Sequence, residues 1–337
     1  MKFRRVLFYI SLFFFLNAHA VAEDKRHEFS QPLMGMAFRI VLYSNDEALA
    51  KRASDEAFNR VAEINKIMSD YDPESELNKL SNLAGSGKAA RISDDLFHVL
   101  QSGQLLASNS NGAFDVAAGA STRLWRRARR LNRMPPEHAI QDAKKLSGFK
   151  YLKLNKVDKT AELLKSGVRL DLGGIAKGFA LDEAFVVLRR NGLLRTLVAA
   201  GGDIISGNPP PSKPGWKVAL LGLNDSSVEY IWLKNSAVAT SGDLFQFLEL
   251  DGKRYSHIID PRSGRAIVEQ RLVHVLAPNA MQADSLATAI SVMGQEKGLL
   301  LVSGDKRLGV RVAFRNDFGQ VKKESNRVFQ TWPRVGD

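Results

Sequence analysis

Three groups of residues carry side chains and spacings suited to phosphate chemistry. The first is Asp171-Leu172-Gly173-Gly174-Ile175-Ala176-Lys177-Gly178-Phe179-Ala180-Leu181-Asp182. An apolar-alternating run, Val168-Arg169-Leu170, leads into the paired glycines, and a helix-like stretch reaching Arg190 follows. Bare backbone N–H groups and one cation in this order suit a phosphate. The spacing is neither that of a Walker A loop nor that of a Rossmann G-x-G-x-x-G, so a different architecture must hold the ligand. The second group is Asp284 and Thr288, in Ala283-Asp284-Ser285-Leu286-Ala287-Thr288-Ala289. Four residues apart on a helix, their oxygens share one face and suit a hard cation such as Mg²⁺. On spacing alone, the simpler reading of Asp284 is a partner for the N-terminal dipole of its own helix. The third is Ser256-His257-Ile258-Ile259-Asp260-Pro261-Arg262-Ser263-Gly264. His257 is a candidate acid, base or phosphate donor, with a structural histidine as the alternative. Asp260 to Gly264 reads as a turn.

Weaker signals lie around these. Thr240-Ser241-Gly242 ends a strand with two hydroxyls and a glycine. In Gly112-Ala113-Phe114-Asp115, Gly112 reads as a left-handed helix cap, and Asp115 either faces a ligand or caps the chain after it. Tyr71 either stacks on a planar ring or packs. The sequence has no G-x-S-x-G nucleophile elbow and no H-E-x-x-H zinc motif.

Periodicity predicts the elements that position these groups. Met36 to Tyr43 alternates like a strand, and Asp46 to Met68 carries apolar residues at helical spacing. Further helices are expected over Asp94–Ser108 with Ser93 as N-cap, Pro136–Leu146, Phe179–Arg190 and Met281–Met293. Strands are expected at Tyr151–Leu154, Thr160–Leu164, Val168–Leu170, Thr196–Ala200, Trp216–Leu220, Tyr230–Leu233, Ala237–Thr240, Phe247–Leu250 and Arg271–Ala277. Helices and strands mix without βαβ regularity, which predicts an α+β fold rather than a doubly wound sheet.

The chain opens on a basic segment, Met1-Lys2-Phe3-Arg4-Arg5, then an apolar run from Val6 to Leu16. Ala18-His19-Ala20 and Ala20-Val21-Ala22 both suit cleavage, so residues 1–22 read as a signal peptide, with an uncleaved anchor as the alternative. No cysteine follows to take a lipid, and the expected product is exported and soluble, periplasmic or extracytoplasmic. The absence of cysteine anywhere in the 337 residues excludes disulfides, thiolate catalysis and iron–sulfur ligation. The formal charge is +12, with 48 Lys and Arg against 36 Asp and Glu. Its densest cluster is Arg123, Arg126, Arg127, Arg129, Arg130 and Arg133 around Trp125. A solvated helix face is the preferred reading, a surface for anionic partners the second, and no nucleic acid is expected.

The order of these motifs carries more than any one of them. Met34-Gly35, Met68-Ser69-Asp70-Tyr71-Asp72-Pro73-Glu74-Ser75-Glu76-Leu77, Gly112 to Asp115, Asp171 to Gly178, Gly201-Gly202-Asp203, Thr240 to Gly242, Ser256 to Pro261 and Asp284 with Thr288 follow one another as in the ApbE family. The chain resembles these FAD:protein FMN transferases from about Pro32 to Leu301. The resemblance implies a T-fold-like α+β architecture and residues 23–337 as one domain. It implies transfer of the FMN half of FAD to a Thr or Ser hydroxyl of a target protein, with release of AMP and with Mg²⁺ as the metal. It places the cation at Gly174, Asp284 and Thr288, and FAD at Met34, Tyr71, Ala113, Phe114, Asp115, Lys177 and His257. His257 and Asp284 are the implied catalytic residues, and the target is a subunit of an exported or membrane redox complex. A FAD pyrophosphatase and a non-catalytic flavin-binding protein are the alternatives. Three positions depart from the family pattern: Met36 stands for a threonine, Val116-Ala117-Ala118-Gly119-Ala120 replaces Pro-Thr-Val-Gly-Pro, and Leu244 stands where an aromatic is common, with Phe245 next.

Overall fold

The computed structural model describes residues 24–223, 228–242, 246–316 and 318–336. The expected signal peptide and the Leu244-Phe245 departure lie outside them. Eight strands form one antiparallel sheet whose spatial order is their order in the chain. They are β1 (Lys25–Leu33), β2 (Met36–Ser44), β3 (Thr196–Ala200), β4 (Asp203–Ser206), β5 (Ser236–Gly242), β6 (Arg271–Ala277), β7 (Gly309–Arg315) and β8 (Val321–Ser325).

Alternation along each strand decides what covers each face. In β2, Phe38, Ile40 and Leu42 join the main core, while Val41 points the other way. In β5, Ala237 and Ala239 face the main core and Val238 the reverse side. The main-core side is covered by helices α1 (Glu47–Met68), α3 (Ala176–Arg190) and α4 (Ala280–Met293). Between α1 and α3 in the chain lies α2 (Gly119–Leu131). The reverse side is covered by the hairpin Trp216–Leu221/Val228–Leu233 and by Phe329. Both faces are therefore buried, and the α+β expectation holds.

Helix ends follow their local chemistry. Asp46 caps α1 by accepting from the Leu49 amide at 2.8 Å, and Ser93 caps the helix Asp94–Asn109 as expected. At α4, Asn279 accepts from the Gln282 amide, while both oxygens of Asp182 on α3 accept from the Ala280 and Met281 amides at 2.7 and 2.9 Å. α3 thus holds the start of α4 directly. Gly178 permits the close approach: a Cβ there would stand 2.3 Å from the Ala280 carbonyl oxygen.

Two excursions from the sheet build the surroundings of its active end. The segment between β2 and β3 carries α1, α2, helices Glu76–Asn82, Asp94–Asn109 and Glu137–Lys145, and a small sheet of Ala90–Arg91, Leu152–Asn155 and Thr160–Leu163. The segment between β5 and β6 carries two short hairpins, Phe247–Leu250/Lys253–Ser256 and Ile259–Asp260/Arg265–Ala266. Trp125 of α2 joins the two excursions. Its ring stacks on Tyr255 with centroids 5.7 Å apart, and its indole N–H donates to the Gly264 carbonyl at 2.9 Å.

The expected strand Val168–Leu170 is not one. The Leu170 amide donates to the Ser81 hydroxyl, the Arg169 carbonyl accepts from Gly119, and the Asp171 amide donates to the Val116 carbonyl. The alternating pattern reflects burial of Val168 and Leu170 beside the exposed-side Arg169, without a ladder. Strands β1, β4 and β8 and helix Glu76–Asn82 were not expected; they are short or mostly polar, and periodicity gives them little signal.

Gly178→Ala forces a methyl onto backbone rather than onto a yielding side chain. It should destabilise the protein by about 1–3 kcal/mol, read as a lower denaturant midpoint at unchanged m-value.

Candidate active site

The turns and strand ends at one end of the sheet converge: the β1–β2 turn at Met34-Gly35, the β3–β4 turn at Gly201-Gly202, and the end of β5 at Thr240 to Gly242. Met34 and Gly35 both have positive φ, 51° and 76°, as a two-residue hairpin turn of type I′ requires. Methionine rarely takes that conformation, so the side chain is held there at a small backbone cost. Met36 lies with its sulfur 3.4 Å from where a Gly201 Cβ would stand, so the larger residue at this departure rests on a glycine.

At the centre of this end stands Lys177, at the first turn of α3. Its Nζ donates to both oxygens of Asp284, at 2.8 and 2.9 Å, and lies 3.1 Å from Asp203 Oδ2. The same Asp284 carboxylate accepts from the Gly178 amide at 3.1 Å. Asp284 therefore serves the N-terminus of α3, not that of its own helix, where Asp182 and Asn279 already act. Asp203 and Asp284 are 3% and 4% exposed. Burial pushes the Asp203 carboxyl up, with the Asp284 charge adding to it and Lys177 opposing. Burial works against the Lys177 ammonium, but the two carboxylates outweigh it and its pKa is raised. Lys177 was expected to face a phosphate; here its charge is engaged by carboxylates.

The expected metal-holding residues are brought together. A Cβ on Gly174 would stand 3.0 Å from both the methyl and the hydroxyl of Thr288 and 3.2 Å from the Phe114 ring. Thr288 follows Asp284 by one helical turn. Asp284, Thr288 and the Gly174 carbonyl offer hard oxygen donors only, and two buried carboxylates share one ammonium, so the corner carries surplus negative charge. This donor set fits a Mg²⁺-class ion. Among the described residues no three His, Cys, Asp or Glu form a metal cluster, so the hydroxyl and carbonyl would be needed.

The remaining residues frame this centre. Ala113 is buried against Ile258, Ile267 and Val292, and Phe114 belongs to the main core. Asp115 turns back on its own chain, accepting from the Ala117 amide at 2.7 Å and from Phe149. Burial raises its carboxyl to about 6. A cavity of about 490 Å³ opens beside Asp115, lined by Gly112, Lys144, Phe149, Tyr151 and Arg262 among others. It does not include Lys177 or Asp284. The half-buried His257 donates its Nδ1–H to the Gln246 carbonyl at 3.1 Å, which leaves Nε2 as the proton-accepting nitrogen. Burial first, then the charges of Arg129, Lys177 and Arg126, lower its pKa to about 4, the Gln246 carbonyl opposing. Tyr71 is 77% exposed, its ring covered on one face by Arg126 at 4.6 Å.

Arg126 was read as part of a solvated face. Instead it bridges Asp70 and Asp171, the latter at 2.8 Å, and so ties the Tyr71 turn to the glycine loop. Asp171 in turn accepts from the Gly173 amide. Asp203, Asp182 and Arg126 were not among the expected site residues. Asp203 closes the Gly201-Gly202-Asp203 motif and Asp182 closes the Asp171–Asp182 stretch, and those motifs were the available signal; Arg126 had none beyond charge.

A family model described as the ApbE family matches residues 34–314. The chain belongs to the ApbE family. A FAD:protein FMN transferase of Haemophilus influenzae is 31% identical over 317 residues, covering 90% of this chain and 91% of its own. One of Treponema pallidum is 29% identical over 299 residues, covering 83% and 82%. Among solved structures, the flavin transferase ApbE from Vibrio cholerae superposes with a TM-score of 0.83 at 27% identity, covering 92% of this chain and 99% of that one. With that membership, the chain is an enzyme of the transferase class.

Replacing Arg126 by Ala leaves Asp70 and Asp171, with side chains 11% and 9% exposed, facing each other without their shared cation. The loss should be about 2–4 kcal/mol at pH 7, short of a fully buried pair. It should shrink as the pH falls, because protonating one aspartate relieves the repulsion. Urea unfolding at several pH values measures both.

Proposed function

We propose that this enzyme transfers the FMN moiety of FAD to a threonine or serine hydroxyl of a target protein and releases AMP. The observation that carries the reading is the Lys177–Asp284–Asp203 group set against Gly174 and Thr288, within motifs that keep the family's order. The relatives' names as FAD:protein FMN transferases support it.

The reaction forms a bond from the acceptor oxygen to the FMN phosphorus and breaks the bond from that phosphorus to the AMP oxygen. The acceptor proton goes to a base. A bound Mg²⁺ would neutralise diphosphate charge and polarise the attacked phosphorus. Asp284, Thr288 and the Gly174 carbonyl would hold it. Lys177, fixed by Asp284 and Asp203 at the start of α3, holds the Asp284 carboxylate in place one helical turn from Thr288. Phe114, buried behind Gly174, keeps that wall rigid. Tyr71, with one face on Arg126 and the other open, offers a stacking surface to a planar ring. His257 presents a neutral Nε2 and is the candidate base. The basic and apolar leader supports export, and with it an exported or membrane redox subunit as acceptor.

The test is to incubate the protein with FAD, Mg²⁺ and a candidate acceptor domain and view the gel under ultraviolet light. A fluorescent acceptor band is expected; AMP and free FMN without a band would favour FAD hydrolysis instead, and FAD bound without either product a binding protein. In Asp284→Ala, Lys177 and the α3 terminus lose a carboxylate, and AMP release should fall roughly 10²–10³-fold. Unchanged AMP release at saturating Mg²⁺ would remove Asp284 from the site.

If His257 accepts the proton, its lowered pKa keeps it competent well below the usual histidine range. As the pH is lowered, kcat/KM should hold through 6.5 and decline only toward about 4. A decline centred at 6.5 would show a base without this environment.

A further inference from the structure

The six arginines on and just after α2 are not equivalent. Arg126 is held between two carboxylates. Arg123, Arg127, Arg130 and Arg133 are exposed. Arg129 is half-buried, yet among the described residues its guanidinium has no hydrogen bond or ion pair. Burial first, then the neighbouring Arg126, disfavour its charge.

Its position is set by what surrounds it. Trp125, four residues earlier, stacks on Tyr255 and so fixes α2 against the strand that leads to His257. Arg126, three residues earlier on the same helical side, covers the Tyr71 ring. Arg129 therefore lies on the side of α2 that carries Trp125 and Arg126, and its charge bears on His257. A half-buried guanidinium without a carboxylate partner keeps its N–H donors free for an arriving anion. A guanidinium is also the side chain best shaped to take a phosphate through paired N–H bonds.

We infer that Arg129 binds the diphosphate of the dinucleotide substrate and positions it between Tyr71 and His257. The inference rests on the FAD-using reading above. The outward-facing arginines do not share this role, since they remain solvated without it.

Binding without any acceptor tests this, by calorimetry on the purified protein with FAD, ADP and riboflavin as probes. Arg129→Met should weaken FAD and ADP roughly ten- to a hundredfold and leave riboflavin, which has no phosphate, unchanged. Arg129→Lys should recover part of the loss. The thermal midpoint of ligand-free Arg129→Met should equal or exceed that of the wild type, because an unpaired half-buried charge is gone. FAD and ADP affinities within twofold of wild type, or an equal loss for riboflavin, would overturn the inference and make Arg129 a packing residue. A wild-type protein that binds neither FAD nor ADP would sink the FAD-using reading, and this inference with it.

Discussion

One ammonium between two buried carboxylates organises this molecule. Lys177 can be buried because Asp284 and Asp203 accept from it, and those carboxylates can be buried because Lys177 and the start of α3 donate to them. None of the three is tolerable there alone. The arrangement requires α3 and α4 to approach closely, which Gly178 permits and Asp182 fastens. It also requires the β3–β4 turn to deliver Asp203, which the meander of the sheet does.

The outer frame repeats the same logic with a different cation. Arg126 joins Asp70 to Asp171, so a turn after α1 and the loop before α3 move as one. Trp125 fastens the same helix to the β5–β6 excursion through Tyr255 and Gly264. Adjacent residues of α2 thus fix both walls around His257 and Tyr71. The Arg-rich helix is structural on one side and solvated on the other.

Much of this was legible in the residues. Alternation in Met36–Tyr43 and helical spacing in Asp46–Met68 reflect one-sided burial, and both elements are present. Of the i, i+4 pair, Thr288 lies against Gly174 and Asp284, one turn earlier, meets Lys177 and the Gly178 amide. What could not be read were the long-range pairings. Nothing local says that Asp182 caps a helix 98 residues later, or that Arg126 has two carboxylate partners 56 and 45 residues earlier and later. Val168–Leu170 misled because alternation reports burial, and a ladder is only one way to bury a residue. For the same reason Asp284 looked like a partner for its own helix: sequence offers the near dipole and hides the packed one.

The chain-order meander has a consequence for how the centre comes into being. Lys177 is made long before Asp284, and the strand that carries the chain back to α4, β6, follows the second excursion. Until α4 docks, Lys177 has Asp203 but not Asp284, and the first two helices of the main layer lack the third that seals them. The centre is therefore completed late: a chain that ends before α4 holds Lys177 and Asp203 but lacks both Asp284 and Thr288 and leaves the layer unclosed.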